Sequence, residues 1–591
     1  MGILKKINKK IFVWRLKYIN RKSFIVITSM IIGILAALAA ILLKLTVHYV
    51  KFFLQYGFNV RYHNYMFLIY PLTGIALTIL YIQLFRKGHL TKGLSSLIYS
   101  FSKHDTDIPR HKMYSHMITS ALTVGFGGSV GLEAPIVITG SAIGANTAKE
   151  LRLGHKERNL LVACGAASGI AAIFNSPIGG IIFAFEVLLP EMTIPSLIPL
   201  LISSASASVV SRLLYSEQLF YLITTGWSLK AIPFYILLGI LCGLISAYMI
   251  KVSFRMENYF KSQVNIYKKM IFGGALLGIL IFFLPPLYGE GYETVKNLFS
   301  GNSEFLTNNS IFYSLNTNQW FLVIYAMVIV LVKVFASSIT VGAGGNGGIF
   351  APSLFVGSLL GFAFVHAINL TGFFQLNEPN FIAVGMAGIL SGVIHAPLTG
   401  IFLIAEVTGG YALFVPLMIV SALSYFTTRY FEPHSIYTKV LAEDKKLEIT
   451  DKDQIILNQI NLNKLIETDF ALIFETDLLE DFFKKSAASK RNIFPVVDKE
   501  NNFKGLIYLN DTREKILHLQ ENKDIPVLDF IHKSPLLVNP DENIQNIMNK
   551  FEENDLWNIP VVDNGKYIGF IYRSRILQTY RELLRDHSRF F

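Results

Sequence analysis

The sequence predicts an all-α polytopic membrane domain made of a duplicated unit, followed by an α/β tail. Three observations carry that expectation: long uncharged apolar runs, two glycine-rich pieces that recur without a gap, and a change of composition near Leu441. Of 591 residues, 52% are hydrophobic and only 16% charged, and the mean hydropathy is +0.45. Soluble domains carry roughly 25% charged residues, so most of this chain is suited to a bilayer.

Ser23 to Leu43, Asn64 to Phe85, Ala231 to Ile250 and Ile271 to Gly289 contain no charge. Each has about the 20 residues that cross a bilayer as a helix, so each is expected to span. The formal net charge of +12 would suit a nucleic-acid binder if it formed a patch on a soluble surface. The basic residues instead flank apolar runs: Lys5, Lys6, Lys9, Lys10, Arg15, Lys17, Arg21 and Lys22 precede the first one. Residues 297–332 contain neither Lys nor Arg. The positive-inside rule then places the N-terminus in the cytoplasm and the polar stretch around Asn308 and Asn309 outside. The basic start is too long, and lacks the small-residue cleavage site, for a secretory signal peptide. Cys164 and Cys242 lie in apolar stretches with no CxxC or His-rich surroundings, which points to packing rather than metal.

Within the apolar part, GGSVGLEAPIVITGSAIG from Gly127 matches GGNGGIFAPSLFVGSLLG from Gly344 at eight of 18 positions. GAASGIAAIFNSPIGGIIFAFEV from Gly165 matches GMAGILSGVIHAPLTGIFLIAEV from Gly385 at seven of 23. The separations, 217 and 220 residues, are nearly equal, so one duplication explains both. Duplicated transporters place their substrate site between the repeats, on broken helices.

Each glycine loop ends in a residue followed by Ala-Pro and an apolar run. Pro135 and Pro352 suit the first turn of a helix, where a missing N–H costs nothing. The other N–H groups at such a start have no acceptor within the helix, and the dipole adds partial positive charge, so each repeat offers an anion a place. Binding by N–H groups rather than by a full cation is weak enough for permeation. At equivalent positions stand Glu133 and Phe350. A carboxylate at membrane depth is costly. Glu133 is expected to be a gate: ionised, it is a tethered anion that occupies the site; protonated or displaced, it lets an anion pass.

At these residues the sequence resembles the CLC chloride channel and transporter family. GLEAP, Gly131 to Pro135, is similar to the family's gate motif with Ala134 in place of a glycine, and GGIFAP, Gly347 to Pro352, matches its second anion-binding motif. Tyr437, in PHSIYTKVL, falls where the family has a tyrosine that contacts the central anion. The resemblance implies a homodimer with one pathway per subunit, Glu133 as gate, and Gly131, Leu132, Ile349, Phe350 and Tyr437 as anion contacts. The family's central-serine motif has no clear counterpart. The corresponding region reads GHLTKGLSSL from Gly88, leaving Lys92, Ser95 and Ser96 as candidates for the inner pathway. FAFEV puts Val187 where family exchangers carry a proton-relay glutamate; Val187 cannot carry a proton. Its neighbour Glu186 is read as structural, because Glu406 mirrors it in the second repeat. A passive, gated chloride channel is the first expectation; proton-coupled exchange, or transport of another halide such as fluoride, is the alternative.

After Leu441 the chain becomes charged and then ordinary in composition. NIFPVVDKENNFKGLIYLNDTREKIL from Asn492 recurs as WNIPVVDNGKYIGFIYRSRIL from Trp557, each a strand, a turn, a glycine-led strand and a helix. This resembles a CBS pair, often an adenine-nucleotide sensor; the family's ribose-binding aspartate is matched by Asp511 in the first unit, whereas Arg575 stands at that register in the second, so the expectation is either a nucleotide at one cleft or a dimerisation platform without ligand. The expected organisation is a basic segment at 1–22, the membrane domain at 23–441, a linker at 442–464, and CBS-like units at 465–533 and 534–591. No enzymatic motif, metal site or required cofactor is recognisable: HExxH, paired carboxylates and a phosphate-binding loop are all missing. His395 and His434 are isolated. The expected setting is the cell membrane, with several passes, both termini cytoplasmic, lipid and small anions as partners, and no nucleic acid.

Overall fold

The computed structural model describes residues 20–56, 63–88, 90, 93–102, 106–188, 194–215, 226–263, 265–443, 457, 460–533 and 536–588. The basic residues up to Lys17, the pathway candidate Lys92 and most of the expected linker lie outside them. The chain divides into two compact units, Met1–Leu447 and Glu448–Phe591.

In the first unit, seven helices among the described residues are long and apolar enough to cross a membrane. Helix α1 (Arg21–Tyr56) covers the first apolar run. The second run, Asn64 to Phe85, is not one helix. A single turn at His63–Met66 is followed by α2 (Tyr70–Arg86), because Pro71 in the first turn cannot donate to the preceding one. Short α3 (Ser95–Ser102) and α4 (Lys112–Gly125) lead to the first glycine loop. The first repeat then runs through α5 (Glu133–Glu150), α6 (His155–Phe174) and α7 (Pro177–Phe183). A π-helical turn, Ala184–Leu188, ends α7.

Helices α8 (Ile194–Leu214), α9 (Ile232–Ser262) and α10 (Ile266–Phe283) follow. The fourth apolar run stops short of Gly289, because Pro285 and Pro286 end α10 and start a 3₁₀ turn. After α11 (Tyr292–Phe299) and α12 (Gln319–Gly342), the second repeat contributes α13 (Phe350–Leu370), α14 (Glu378–Ile394) and α15 (Pro397–Val407). Helices α16 (Phe414–Phe431) and α17 (Ile436–Glu443) close the unit.

The duplication is visible as reciprocal contacts. Gly131 and Gly348, equivalent by the 217-residue separation, donate to each other's carbonyls at 2.8 Å in an antiparallel bridge. Two equivalent segments that pair antiparallel send their helices in opposite directions, so the repeats are inverted. The Ser129 N–H donates to Thr340 Oγ1 at 3.2 Å, and the Asn346 N–H donates to Thr123 Oγ1 at 2.9 Å, the same bond made both ways. Farther along, Glu186 accepts from Leu398 N, Thr399 N and Thr399 Oγ1 at the start of α15. Glu406 accepts from Ile178 N and Gly179 N, at 3.2 and 2.9 Å, and from the Ser176 hydroxyl at the start of α7. Each repeat thus caps a helix start of the other with a carboxylate, satisfying N–H groups that lack intrahelical acceptors.

Packing within each repeat is also matched. Gly140 and Gly144 bring α5 against α6, and Gly357 and Gly361 bring α13 against α14. A Cβ at any of the four would strike a backbone carbonyl of the facing helix, the close approach that small residues four apart permit in membranes. Cys164 and Cys242 are buried and unpaired with each other.

The second unit contains the sheet β1 (Ile473–Phe474), β2 (Ile493–Val497), β3 (Phe503–Tyr508) and the hairpin β4 (Asn558–Asp563), β5 (Lys566–Tyr572). Both antiparallel pairs carry an irregularity at the same place, Val496/Val497 and Val561/Val562, as expected of two copies of one motif. Helix α18 (Leu479–Ala488) covers the first copy with Phe482, and α19 (Ile544–Glu553) covers the second with Ile547 and Phe551. Helix α20 (Arg573–Ser588) follows the second.

Candidate functional site

Glu133 is the first residue of α5 and is 1% exposed. The Tyr292 hydroxyl donates to its Oε1. Its Oε2 lies beside Gly131, near the start of α13, and has no hydrogen-bond partner among the described residues. A Cβ at Gly131 would collide with that carboxylate, so glycine is required for the Glu133 side chain to reach the facing helix start. The side chain therefore lies between the starts of both repeats' helices. A tethered anion held there suits N–H groups that have no acceptor in their own helix.

Two cavities lie on either side. One, of about 290 Å³, is lined by Leu132, Tyr292, Glu290, Lys44, His48 and Lys51. The other, of about 410 Å³, is lined by Ala134, Gly348, Ile349, Tyr437 and Ser95. Leu132 lines the first cavity and Ala134 the second, so the chain neighbours of Glu133 border different cavities.

Tyr437 is 6% exposed, and its hydroxyl has no hydrogen-bond partner among the described residues. Ser95 at the start of α3 donates to the Tyr437 carbonyl at 2.8 Å. Of the three candidates in GHLTKGLSSL, Ser95 reaches the Tyr437 cavity. The Ser96 hydroxyl bonds back to the Gly93 carbonyl at 3.2 Å, and Lys92 is outside the described residues. Among the expected anion contacts, Gly131 needs correction: its N–H is committed to the Gly348 carbonyl. The Leu132 N–H faces Glu290. Ile349 lines the cavity directly, while the Phe350 ring is packed against Phe174 and Phe183, with centroids 5.6 and 6.1 Å away.

Val187 is partly buried in the π-helical turn 184–188. Such turns recur at functional sites, and this one has no signature in the local sequence. Pattern reading also passed over Tyr292, Glu290, Lys44 and Lys333. The signal was present for three of them, since a charged residue inside an apolar helix or beside one is a functional candidate by default. Lys333 is fully buried in α12 and donates to the Leu287 and Gly289 carbonyls at 3.3 and 2.9 Å.

A family model for the voltage gated chloride channel matches residues 73–429. The chain belongs to that family. CLC relatives include the Voltage-gated ClC-type chloride channel ClcB of Escherichia coli, 29% identical over 333 residues, 55% of this chain and 75% of the relative. A ClcB-like chloride channel protein of Ralstonia nicotianae is 27% identical over 391 residues, 64% of this chain and 86% of the relative. Among solved CLC structures, a slow cyanobacterial Cl⁻/H⁺ antiporter superposes with a TM-score of 0.60 at 20% identity, covering 73% of this chain and 100% of that one. A eukaryotic CLC transporter superposes at 0.59 with 18% identity, covering 93% and 97%. The second CBS-like copy is matched by a CBS domain model over residues 527–582. This CLC chain is thus a membrane protein of an ion channel and transporter family with a C-terminal CBS domain.

In the second unit, Asp511 pairs with His532 at 2.9 Å, and Arg575 is exposed on α20. Among the described residues there is no cluster of His, Cys, Asp or Glu able to hold a metal.

Proposed function

We propose that the chain is a passive, gated chloride channel in which Glu133 is the gate. The observation that carries this reading is the placement of Glu133 between two cavities, with its carboxylate at both inverted helix starts. An anion arriving from the Tyr437 cavity meets Ile349 and the Tyr437 hydroxyl first, and takes the carboxylate's position when Glu133 is protonated or moves aside. Ser95 lines the same path. Val187 leaves no proton carrier at the inner relay position, which favours uncoupled flow. The working unit is a homodimer in the cell membrane with one pathway per subunit and both termini cytoplasmic. The Glu290 cavity then opens outward and the Tyr437 cavity inward. An adenine nucleotide at the CBS pair, with units at 465–533 and 534–591, would bind through Asp511 and displace its pairing with His532; isothermal titration with AMP and ATP, repeated on Asp511→Ala, checks it.

A second reading, proton-coupled exchange of chloride or fluoride, draws on the Tyr292 hydroxyl, a proton-bearing group bonded to the gate carboxylate. Chloride release from liposomes with simultaneous pH recording separates the two. Release without proton uptake, increased by Glu133→Gln, supports the channel. Proton movement in fixed ratio to chloride supports exchange.

A further inference from the structure

Glu290 is a second carboxylate beside Glu133, 9% exposed, and the gate as described does not use it. It stands between Gly289 and Gly291, whose positive φ angles of 62° and 87° fold the chain into a tight turn. A Cβ at Gly291 would strike the Phe355 ring of α13, so the turn is pressed against the second repeat's helix. Glu290 lines the same cavity as Leu132. Its carboxylate faces the N–H of Leu132, the residue that caps α5.

Three lysines surround it: Lys51 from α1 stands 3.9 Å away, Lys44 of the same helix lines the same cavity, and Lys333 from α12 is bonded to the neighbouring Gly289 carbonyl at 2.9 Å. Lys44 is anchored on the Ala172 and Ile173 carbonyls at the end of α6, at 3.3 and 2.6 Å. Lys333 is anchored on Leu287 and Gly289. Because backbone carbonyls hold these two lysines, their amino groups stay in place whether or not Glu290 does. A spot beside a helix start and three lysine side chains suits an anion, and here a carboxylate fills it. Glu133 stands next to it: its Oε1 accepts from the hydroxyl of Tyr292, which lines the same cavity as Glu290.

We propose that Glu290 is a second carboxylate gate in series with Glu133, holding the anion position in front of Leu132 and leaving it when a transported anion arrives. This rests on the reading of Glu133 as the first gate. The competing role is simple neutralisation of the lysines. Those two roles differ in sign: a gate that is removed lets more anion through, whereas lost neutralisation traps the anion or disorders the cavity.

The test is chloride release from liposomes holding the full-length protein as native chain, Glu133→Ala, Glu290→Ala, Glu290→Gln and Glu133→Ala/Glu290→Ala. Each preparation is first checked by size exclusion and thermal unfolding. Two gates in series predict that the double variant releases chloride about threefold or more faster than Glu133→Ala. They also predict that bromide titrated into Glu290→Gln binds with at least one more equivalent than into the native chain. A double variant no faster than Glu133→Ala overturns the proposal, as does slower release from both Glu290 variants. If Glu290→Ala does not fold, Glu290→Gln, which keeps the shape and loses the charge, decides alone by the same two readouts. If Glu133→Ala itself leaves release unchanged, the first gate is the reading that fails.

Discussion

In the first repeat, the loop from Gly127 passes into α5 with a carboxylate; in the second, the loop from Gly344 passes into α13 with a phenyl ring. The backbones are held alike, by the same exchanged bonds at Gly131 and Gly348 and at Thr123 and Thr340. The side chains face different company. Glu133 has the Tyr292 hydroxyl on one oxygen and no hydrogen-bond partner on the other among the described residues, while Phe350 has Phe174 and Phe183. An inverted duplication provides two equivalent helix starts, and divergence has left a titratable side chain at only one of them. On the proposed reading, it is this asymmetry, not the symmetry, that would permit gating.

The strongest way to break this comparison is to make the two sides chemically equal. Phe350→Glu buries a charge among aromatic rings with no partner in place, and is expected to cost about 3–5 kcal/mol. Loss of the folded protein on size exclusion, or a large drop in thermal midpoint, is the expected result. A variant as stable as the native chain would mean that the second helix start accepts a carboxylate as readily as the first.

The cross-caps sharpen the symmetric half of the comparison. Glu406→Ala and Glu186→Ala each strip acceptors from three donors at a helix start, and each is expected to destabilise by about 2–3 kcal/mol. Thermal unfolding of the two variants should give similar losses. If one loss is much larger than the other, the reciprocal caps are equal in geometry only.

Smaller in energy, and the largest in flux, is the gate itself: Glu133→Gln is expected to raise passive chloride release about tenfold, equivalent to about 1.4 kcal/mol. Tyr437→Phe removes one hydroxyl that has no hydrogen-bond partner among the described residues, so folding should be unaffected. Anion affinity measured by titration is expected to fall by only a few fold, in line with a net hydrogen-bond contribution of about 0.5–1.5 kcal/mol. No change in affinity would remove Tyr437 from the anion path.

Much of the site was legible because its signals are local. The glycine loops, Pro135 and Pro352, and the contrast of Glu133 with Phe350 sit within a few residues of each other. The mirrored Glu186 and Glu406 were legible as a pair but not as caps, because each acts on a helix start in the other repeat. Two long spans were misjudged at their ends, where Pro71 and Pro285–Pro286 interrupt runs that look continuous by hydropathy alone. Ser95 could not be chosen over Ser96 from spacing: the choice depends on which hydroxyl the turn of α3 leaves facing Tyr437, 342 residues away.

The sequence by itself determined that this is a membrane protein, that its membrane part is duplicated, that each copy begins a helix with N–H groups free for an anion, and that one copy adds a carboxylate. Those properties follow from composition, periodicity and the chemistry of single residues. Only the tertiary structure decided that the copies are inverted, that Gly131 is committed to Gly348, that Tyr292 bonds to Glu133, and that Glu290 stands among lysines from two other helices. Such pairings join residues more than a hundred positions apart, and they depend on how the helices pack, which no local pattern records.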